Sequence, residues 1–272
     1  MNLKRAGRGL LWTLGLIALA VLALAAAWLA SNNRWVDAAP QPRPAALQPR
    51  QVSSAPEANV FFDLAGLLAP ANESPLARGQ AAWAGGDATQ RISKPKDPRW
   101  DCKWAREDCL ASWSQDAPAL KASLDDQALL LGRCAAIADA LSAGRRVFEE
   151  PLPQARAELR KVSDQYLALP LASHVQGAVL CLRAFQLQAA QAQVDGDASV
   201  LAQALARGQA LSQAQLNGAQ SLLAQTVAWS QARQQLQFAA ALLVREPGLA
   251  GLAGLVAPQL GPLPARAVDA AS

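Results

Sequence analysis

Residues 187–211 read LQAAQAQVDGDASVLAQALARGQAL, and this stretch decides the fold class. Ala, Leu and Gln dominate both halves, and all three favour helix. Asp195-Gly196-Asp197 interrupts them as a turn, and Asp197 is a suitable cap for the helix that follows. The second half carries an apolar stripe at helical spacing, made of Val200, Leu201, Ala204, Leu205, Gly208 and Leu211. The stretch predicts two helices joined by a turn, and we expect an all-α fold.

The flanking sequence continues the helical pattern over residues 115–246, which we assign to one helical body. An amphipathic helix is predicted from Asp116 to Gly144. Another, from about Ser173 to Val194, is apolar nearly all round and should lie centrally. The turn at 195–197 resembles the helix-turn-helix junction of a tetratricopeptide-type repeat, where small residues let paired helices approach closely. A true repeat array needs about three such units, so we expect an antiparallel helical bundle or a short solenoid of these helix pairs.

The last predicted helix, from about Gly218 to Val244, carries a heptad pattern. Leu222, Trp229, Leu236 and Leu243 recur every seven residues, with Thr226, Arg233 and Ala240 between them. Such a series is typical of a seam between two helices. Because the flanking charge pairs of a coiled-coil dimer are missing, we interpret the series as an antiparallel packing seam within the body.

An apolar stretch near the N-terminus runs from Leu10 to Ala30. A helix of about 20 apolar residues spans a bilayer with its backbone hydrogen bonds closed internally. Residues 10–31 are therefore predicted to be a transmembrane anchor in contact with lipid. The preceding Lys4, Arg5 and Arg8 hold residues 1–9 in the cytoplasm and place the rest of the chain outside. A cleavable signal peptide is the alternative, since Ala25-Ala26-Ala27 offers small residues at a cleavage point.

Two segments lack the composition for a packed core. Residues 32–58 are rich in Pro, Ala, Gln and Arg, which predicts an extended proline-rich linker that carries the body away from the bilayer. Residues 247–272 form a tail rich in Leu, Gly and Pro, and its prolines argue against a second membrane helix. We expect this tail either to lie over an apolar groove of the body or to be flexible.

Residues 59–114 form a short-helix segment rich in Trp and Cys. It opens with NVFFDLAGLLAP at 59–70, where Asn59 is a suitable helix cap and Pro70 a helix stop. SPLARGQAAW and DCKWAREDCL follow, and EEPLP comes later in the chain. Together these stretches resemble a family of proteobacterial single-pass inner-membrane proteins with the motif N-x-F/Y-F/Y-x-L-x-G-L-x-A-P. The resemblance implies a membrane anchor, a proline-rich linker, a cysteine pair and an Ala/Leu-rich helical region, and it implies no activity.

All four cysteines lie in the part of the chain predicted to be exported, where disulfides are expected. Four cysteines allow three connectivities. We favour Cys102 with Cys109, which closes a small loop, and Cys134 with Cys181, which joins two helices. Free buried thiols or another pairing are the alternatives.

Five aromatic side chains are the candidate binding residues, namely Phe61, Phe62, Trp83, Trp100 and Trp104. Rings that stack on a sugar, with Arg and Lys binding carboxylates, would make a site for a peptidoglycan fragment. The alternative is a disulfide-pinned lid whose indoles pack on the helical body. We favour the lid because Trp side chains are usually buried as structure.

The sequence lacks catalytic and metal-binding motifs. His174 is the only histidine, so a histidine-based zinc cluster cannot form, and no G-x-S-x-G elbow accompanies it. Glu149 and Glu150 are neighbours in sequence, which says nothing about the facing geometry that glycoside cleavage requires. The formal net charge is +4, and three basic residues precede the anchor, so the exported part is close to neutral and does not suit nucleic acid. We predict no catalytic residue, no metal and no cofactor.

These observations predict a helical module that is anchored in the bacterial inner membrane and faces the periplasm. Its expected role is to bind an envelope protein or to act as a scaffold, without catalysing a reaction. The alternative is an envelope glycan-binding protein or hydrolase that uses the Trp/Cys segment together with Glu or Asp side chains.

Overall fold

A computed structural model describes residues 18–29, 52–84, 92–103, 107–151 and 171–245. The chain divides into two units, Met1–Gln48 and Pro49–Ser272. Regular structure in the described ranges is helical, apart from one isolated parallel bridge between Asn59 and Val147. The prediction of an all-α fold is confirmed.

The described part of the first unit is one helix, α1, at residues 18–29. All of its side chains are exposed and most are apolar; Leu24, for example, is 70% exposed. It covers the middle of the anchor predicted at 10–31, whose two ends lie outside the described ranges. None of the helices that the structure describes combines the length and the apolar character needed to cross a membrane.

The second unit contains the remaining described α-helices. In chain order they are α2 (Val60–Ala65), α3 (Pro75–Trp83), α4 (Cys109–Ser114), α5 (Ala117–Asp126), α6 (Ala128–Ser142), α7 (Leu171–Asp195), α8 (Ala198–Gly218) and α9 (Leu222–Arg245). Short 3-10 turns at Pro56–Ala58 and Pro98–Asp101 precede α2 and α4. Several helices begin at a side-chain cap that accepts a backbone N–H of the first turn; these caps are Asn59, Ser74, Asp108, Asp116 and Asp197.

The residues predicted to form one long helix from Asp116 to Gly144 form two, α5 and α6. The break lies at Gln127, whose φ of −106° and ψ of 20° leave the helical range. The backbone N–H of Gln127 donates to the carbonyl oxygen of Leu124, three residues earlier, so the last turn of α5 is a tighter 3-10 turn. The preceding Asp125-Asp126 are weak helix formers. Gly144 then follows α6 with a φ of +63°, a conformation that glycine adopts without strain.

The central helix is α7, as its apolar sequence predicts. Its buried side chains include Cys181, Leu182, Phe185 and Leu187. It packs against α2, α4, α5, α6, α8 and α9. A disulfide between Cys134 and Cys181 attaches it to α6, and one between Cys102 and Cys109 closes the small loop that leads into α4. Both predicted pairings are present.

Helix α2, which contains the aromatic motif, lies between α3 and α7 at very short backbone distances. A Cβ atom on Gly79 of α3 would lie 1.8 Å from the carbonyl oxygen of Phe62. A Cβ atom on Gly177 of α7 would lie 2.2 Å from the carbonyl oxygen of Leu64. Only glycine permits backbones to approach this closely, so these two glycines fix the position of α2 from both sides.

Arg133 of α6 holds the chain that follows α2. Its guanidinium donates hydrogen bonds of 2.5–3.3 Å to four backbone carbonyl oxygens, those of Leu67, Ala69, Pro70 and Glu73. Of these four oxygens, that of Pro70 also accepts the backbone N–H of Glu73. The Arg133 side chain therefore holds the connection between α2 and α3 through its backbone carbonyl groups.

Candidate functional site

Three of the five predicted binding residues lie together in the core. Phe61 is fully buried, and its ring centroid is 5.2 Å from that of Phe62 and 5.5 Å from that of Trp83, in edge-to-face contact with both. Phe62 is buried and Trp83 is partly buried. These rings stabilise one another by packing. Their predicted role in binding a ligand stays a prediction.

Trp100 lies apart from these three, in the 3-10 turn at Pro98–Asp101. It is 5% exposed, and its indole N–H donates to the Ser123 hydroxyl of α5 at 3.0 Å. Trp104, the remaining candidate, lies outside the described residues. The buried ring of Trp100 has the position expected of a lid that packs on the helical body.

Sequence analysis missed Arg183, which attaches the disulfide loop to α7. Its guanidinium carbon lies 5.4 Å from the ring centroid of Trp113, and it donates to the Cys102 carbonyl oxygen at 2.6 Å. Burial lowers the pKa of Arg183 to about 10, against the opposing effect of the Asp101 and Glu107 carboxylates. The sequence signal for this role was a single arginine within an otherwise apolar helix.

Glu149 and Glu150 hold two different segments of the chain. Glu149 accepts hydrogen bonds of 2.7–3.1 Å from the backbone and hydroxyl groups of Ser53-Ser54. Burial raises the pKa of Glu149, but these hydrogen bonds outweigh it and hold the pKa below its usual range. The fully buried Glu150 accepts three hydrogen bonds of 2.6–2.7 Å from Gln220-Ser221, at the start of α9. Both carboxylates are occupied by structural hydrogen bonds.

His174 lies in the core beside Glu150. Its Nε2 is 3.6 Å from a carboxylate oxygen of Glu150, and its ring centroid is 4.6 Å from that of Phe61 and 6.1 Å from that of Phe148. Burial lowers the pKa of His174 to about 3, so the ring is neutral. Among the described residues neither ring nitrogen has a hydrogen-bond partner. A general base needs a pKa near the working pH, which this histidine lacks.

A groove of about 520 Å³ lies between residues 141–149 and the last turns of α8. Its polar lining consists of Ser142, Arg146, Glu149, Gln213, Asn217 and Gln220, with no tryptophan among the lining residues. Arg146 is paired with Asp63. Across the described ranges no three His, Cys, Asp or Glu side chains gather as ligands for a metal ion. The groove therefore lacks the indole rings and free acids that the glycan-hydrolase alternative invokes.

Five of the seven residues in the heptad series of α9 face solvent. Leu222 is 81% exposed and Trp229 is 45% exposed. Thr226, Arg233 and Ala240 are exposed as well, whereas Leu236 and Leu243 are half-buried. The prediction that this series packs within the body is wrong. We call these seven residues the outer face of α9.

The reason for this orientation lies on the opposite, inner face of α9. Its buried residues are Ala224, Ala228, Gln231, Gln235, Phe238, Ala239 and Leu242. This face packs on α8, where a Cβ atom on Gly208 would lie 2.9 Å from Nε2 of Gln235. Small residues let two helices approach closely, and the dispersion attraction between the tightly packed helices takes the place of larger buried side chains. The inner residues also repeat at steps of three and four, which was the available sequence signal.

The outer face of α9 is therefore the candidate functional site. Large apolar side chains exposed along one helix, here Leu222 and Trp229, are typical of a surface that contacts another protein. Comparison of the chain with family models, with curated proteins and with solved structures finds no match.

Proposed function

We propose that the chain is a non-catalytic, membrane-anchored module of the bacterial envelope that binds another protein through the outer face of α9. In this proposal residues 10–31 anchor it in the inner membrane, with residues 1–9 in the cytoplasm. Residues 32–58 form the proline-rich linker. The helical body, an antiparallel bundle or a short solenoid, lies in the periplasm.

Two structural observations support this location. The side chains of α1 are exposed and mostly apolar on every side, which suits contact with lipid. All four cysteines are paired in disulfides, which is typical of proteins outside the cytoplasm. The positive charge before the anchor and the resemblance to inner-membrane proteins point the same way.

The binding role rests on one observation, the exposure of the heptad series on α9. Leu222 and Trp229 leave apolar surface in water that a second helix would cover. The glycan alternative has less support, because Trp100, Glu149 and Glu150 are already engaged within the body.

Photo-crosslinking in cells tests the binding role. A photoreactive amino acid replaces Trp229 in one variant and, as a matched control, Val200 of α8 in another, since Val200 is 43% exposed. We expect a discrete protein adduct from position 229 only. Capture of lipid or glycan alone, or identical products from both positions, would refute protein binding through this face.

A reporter fused after Ser272 tests the location separately. We expect activity from a reporter that works only outside the cytoplasm. A fusion that is active only in the cytoplasm would refute the proposed topology and leave the disulfides unexplained.

A further inference from the structure

We infer that the outer face of α9 binds one amphipathic helix of a partner protein, and that this helix carries an Asp or Glu side chain opposite Arg233. The inference rests on the proposed protein-binding role and names the chemical class of the partner.

The spacing of the outer face matches a two-helix contact. Its residues lie alternately four and three positions apart from Leu222 to Leu243. A period of 3.5 residues keeps such a series on one line when two helices wind around each other. At about 1.5 Å per residue the line is about 32 Å long, which matches a partner helix of about six turns.

The relief along this line also suits a helix. Trp229 and Leu236 are large and flank the middle of the line, with Trp229 exposed and Leu236 half-buried, whereas Thr226 and Ala240 beyond them are small and exposed. Side chains of a second helix pack over small residues as knobs that insert into holes. The partner should therefore place large apolar residues at these two levels.

Arg233 determines the charge of the partner. It is exposed at the middle of the line, and α9 itself contains no Asp or Glu. Within the described part of the chain no ion pair includes Arg233. Covering an unpaired guanidinium with apolar surface is unfavourable, whereas a carboxylate at this level would form a charge-assisted hydrogen bond.

A second copy of the chain fits this surface poorly. The series is nearly symmetric about Arg233, so an α9 from another copy would bring its own Arg233 to the same level in either direction. Two guanidinium groups would then face each other with no acid on either helix. Like charges at one level oppose association, and an acidic partner helix avoids this conflict.

Two synthetic helical peptides test the inference on the purified full-length chain in lipid nanodiscs. Both are about six turns long, with leucine at every heptad position except the central one. They differ only in the central residue, which is Glu in one and Lys in the other. Fluorescence anisotropy of the labelled peptides gives Kd. We expect the Glu peptide to bind at least about ten-fold more tightly than the Lys peptide.

Charge variants of the chain identify the residue responsible. Arg233→Glu should reverse the order of the two peptides, and Arg233→Lys should keep it. Arg145→Glu is the matched control, because Arg145 is also exposed but lies outside α9, and it should leave the order unchanged. Unfolding curves confirm that each variant is folded.

The inference is overturned if the two peptides bind equally, if neither binds, or if Arg233→Glu leaves the preference unchanged. It is also overturned by a concentration-dependent dimer that Trp229→Ala abolishes, because a second copy then covers the face. In each of these cases a protein adduct from position 229 would preserve the proposed function. Absence of that adduct refutes the proposed function itself.

Discussion

Replacing Gly177 of α7 by Ala should destabilise the protein, although alanine is the better helix former. Within a helix the exchange alone raises the free energy of unfolding by about 0.5–1 kcal/mol. Here the new Cβ atom would lie 2.2 Å from the carbonyl oxygen of Leu64. An ordinary separation of about 3.3 Å is restored only if α2 and α7 move apart by about 1 Å.

Helix α2 has little room for this movement, because α3 holds its other side. A Cβ atom on Gly79 would already lie 1.8 Å from the carbonyl oxygen of Phe62. Overpacking of this kind costs about 1–3 kcal/mol, and occasionally more. After the gain in helix propensity is subtracted, we expect Gly177→Ala to lower the free energy of unfolding by about 1–2 kcal/mol.

Urea unfolding with the disulfides intact, followed by far-ultraviolet circular dichroism, measures the change. Gly132→Ala is the matched control, because Gly132 lies inside α6 and no atom lies within 4 Å of its added Cβ. It should raise the free energy of unfolding by about 0.5–1 kcal/mol. The two substitutions are chemically identical, so opposite signs isolate the contact with α2. An equal gain at both positions would refute the close approach of α2 and α7.

Acidification should weaken the fold through His174. Burial lowers its pKa from 6.5 to about 3. As the pH falls below 6.5, the unfolded chain therefore binds a proton that the folded chain does not bind, and the free energy of unfolding decreases. Urea unfolding should show that the free energy of unfolding falls by about 2 kcal/mol between pH 7.5 and pH 5. His174→Leu should abolish this fall. If that variant keeps the same pH dependence, His174 is not its cause. Replacing Cys134 and Cys181 by Ala removes a disulfide between residues that are 47 apart in sequence. The chain-entropy model predicts that the free energy of unfolding, measured by chemical unfolding, then falls by about 4 kcal/mol. Removing the Cys102–Cys109 disulfide, which joins residues only seven apart, should lower the free energy of unfolding less. The opposite order would contradict the chain-entropy model for these disulfides. Arg133→Met removes the donor of the Leu67, Ala69 and Glu73 carbonyl oxygens, while that of Pro70 keeps the backbone N–H of Glu73, and it should lower the free energy of unfolding by about 2–4 kcal/mol. The same exchange at the exposed Arg145 should change it by less than about 0.5 kcal/mol, and equal effects would mean that the four hydrogen bonds contribute little.

Features set by local chemistry could be predicted from the sequence. Asn59 and Asp197 cap the helices that follow them because a cap needs only its own side chain and the next few backbone N–H groups. The Cys102–Cys109 disulfide joins residues that are neighbours along the chain. The central position of α7 follows from a mostly apolar sequence in which Arg183 and Asp195 are the only Arg, Lys, Asp or Glu residues.

Features set by distances between remote segments could not be predicted. Gly79 and Gly177 look like poor helix formers in the sequence, and their purpose is visible only beside the carbonyl groups of α2. Glu149 accepts hydrogen bonds from serines more than 90 residues earlier in the chain, so its role has no local signature. Hydrophobicity alone favoured the wrong face of α9, because it does not register that the Gln235 side chain packs against Gly208 of α8.

The two ends of α9 make different polar contacts with the body. At its first turn the buried carboxylate of Glu150 accepts three hydrogen bonds from Gln220-Ser221. At its last turn the Arg245–Asp108 ion pair has side chains that are 33% and 61% exposed, and such exposed pairs contribute about 0–1 kcal/mol. In the proposed role α9 joins the body to the partner. The C-terminal half of α9 is held on the body by the buried side chains of Phe238, Ala239 and Leu242, so raising the salt concentration, which screens the exposed ion pair, should leave this half in place.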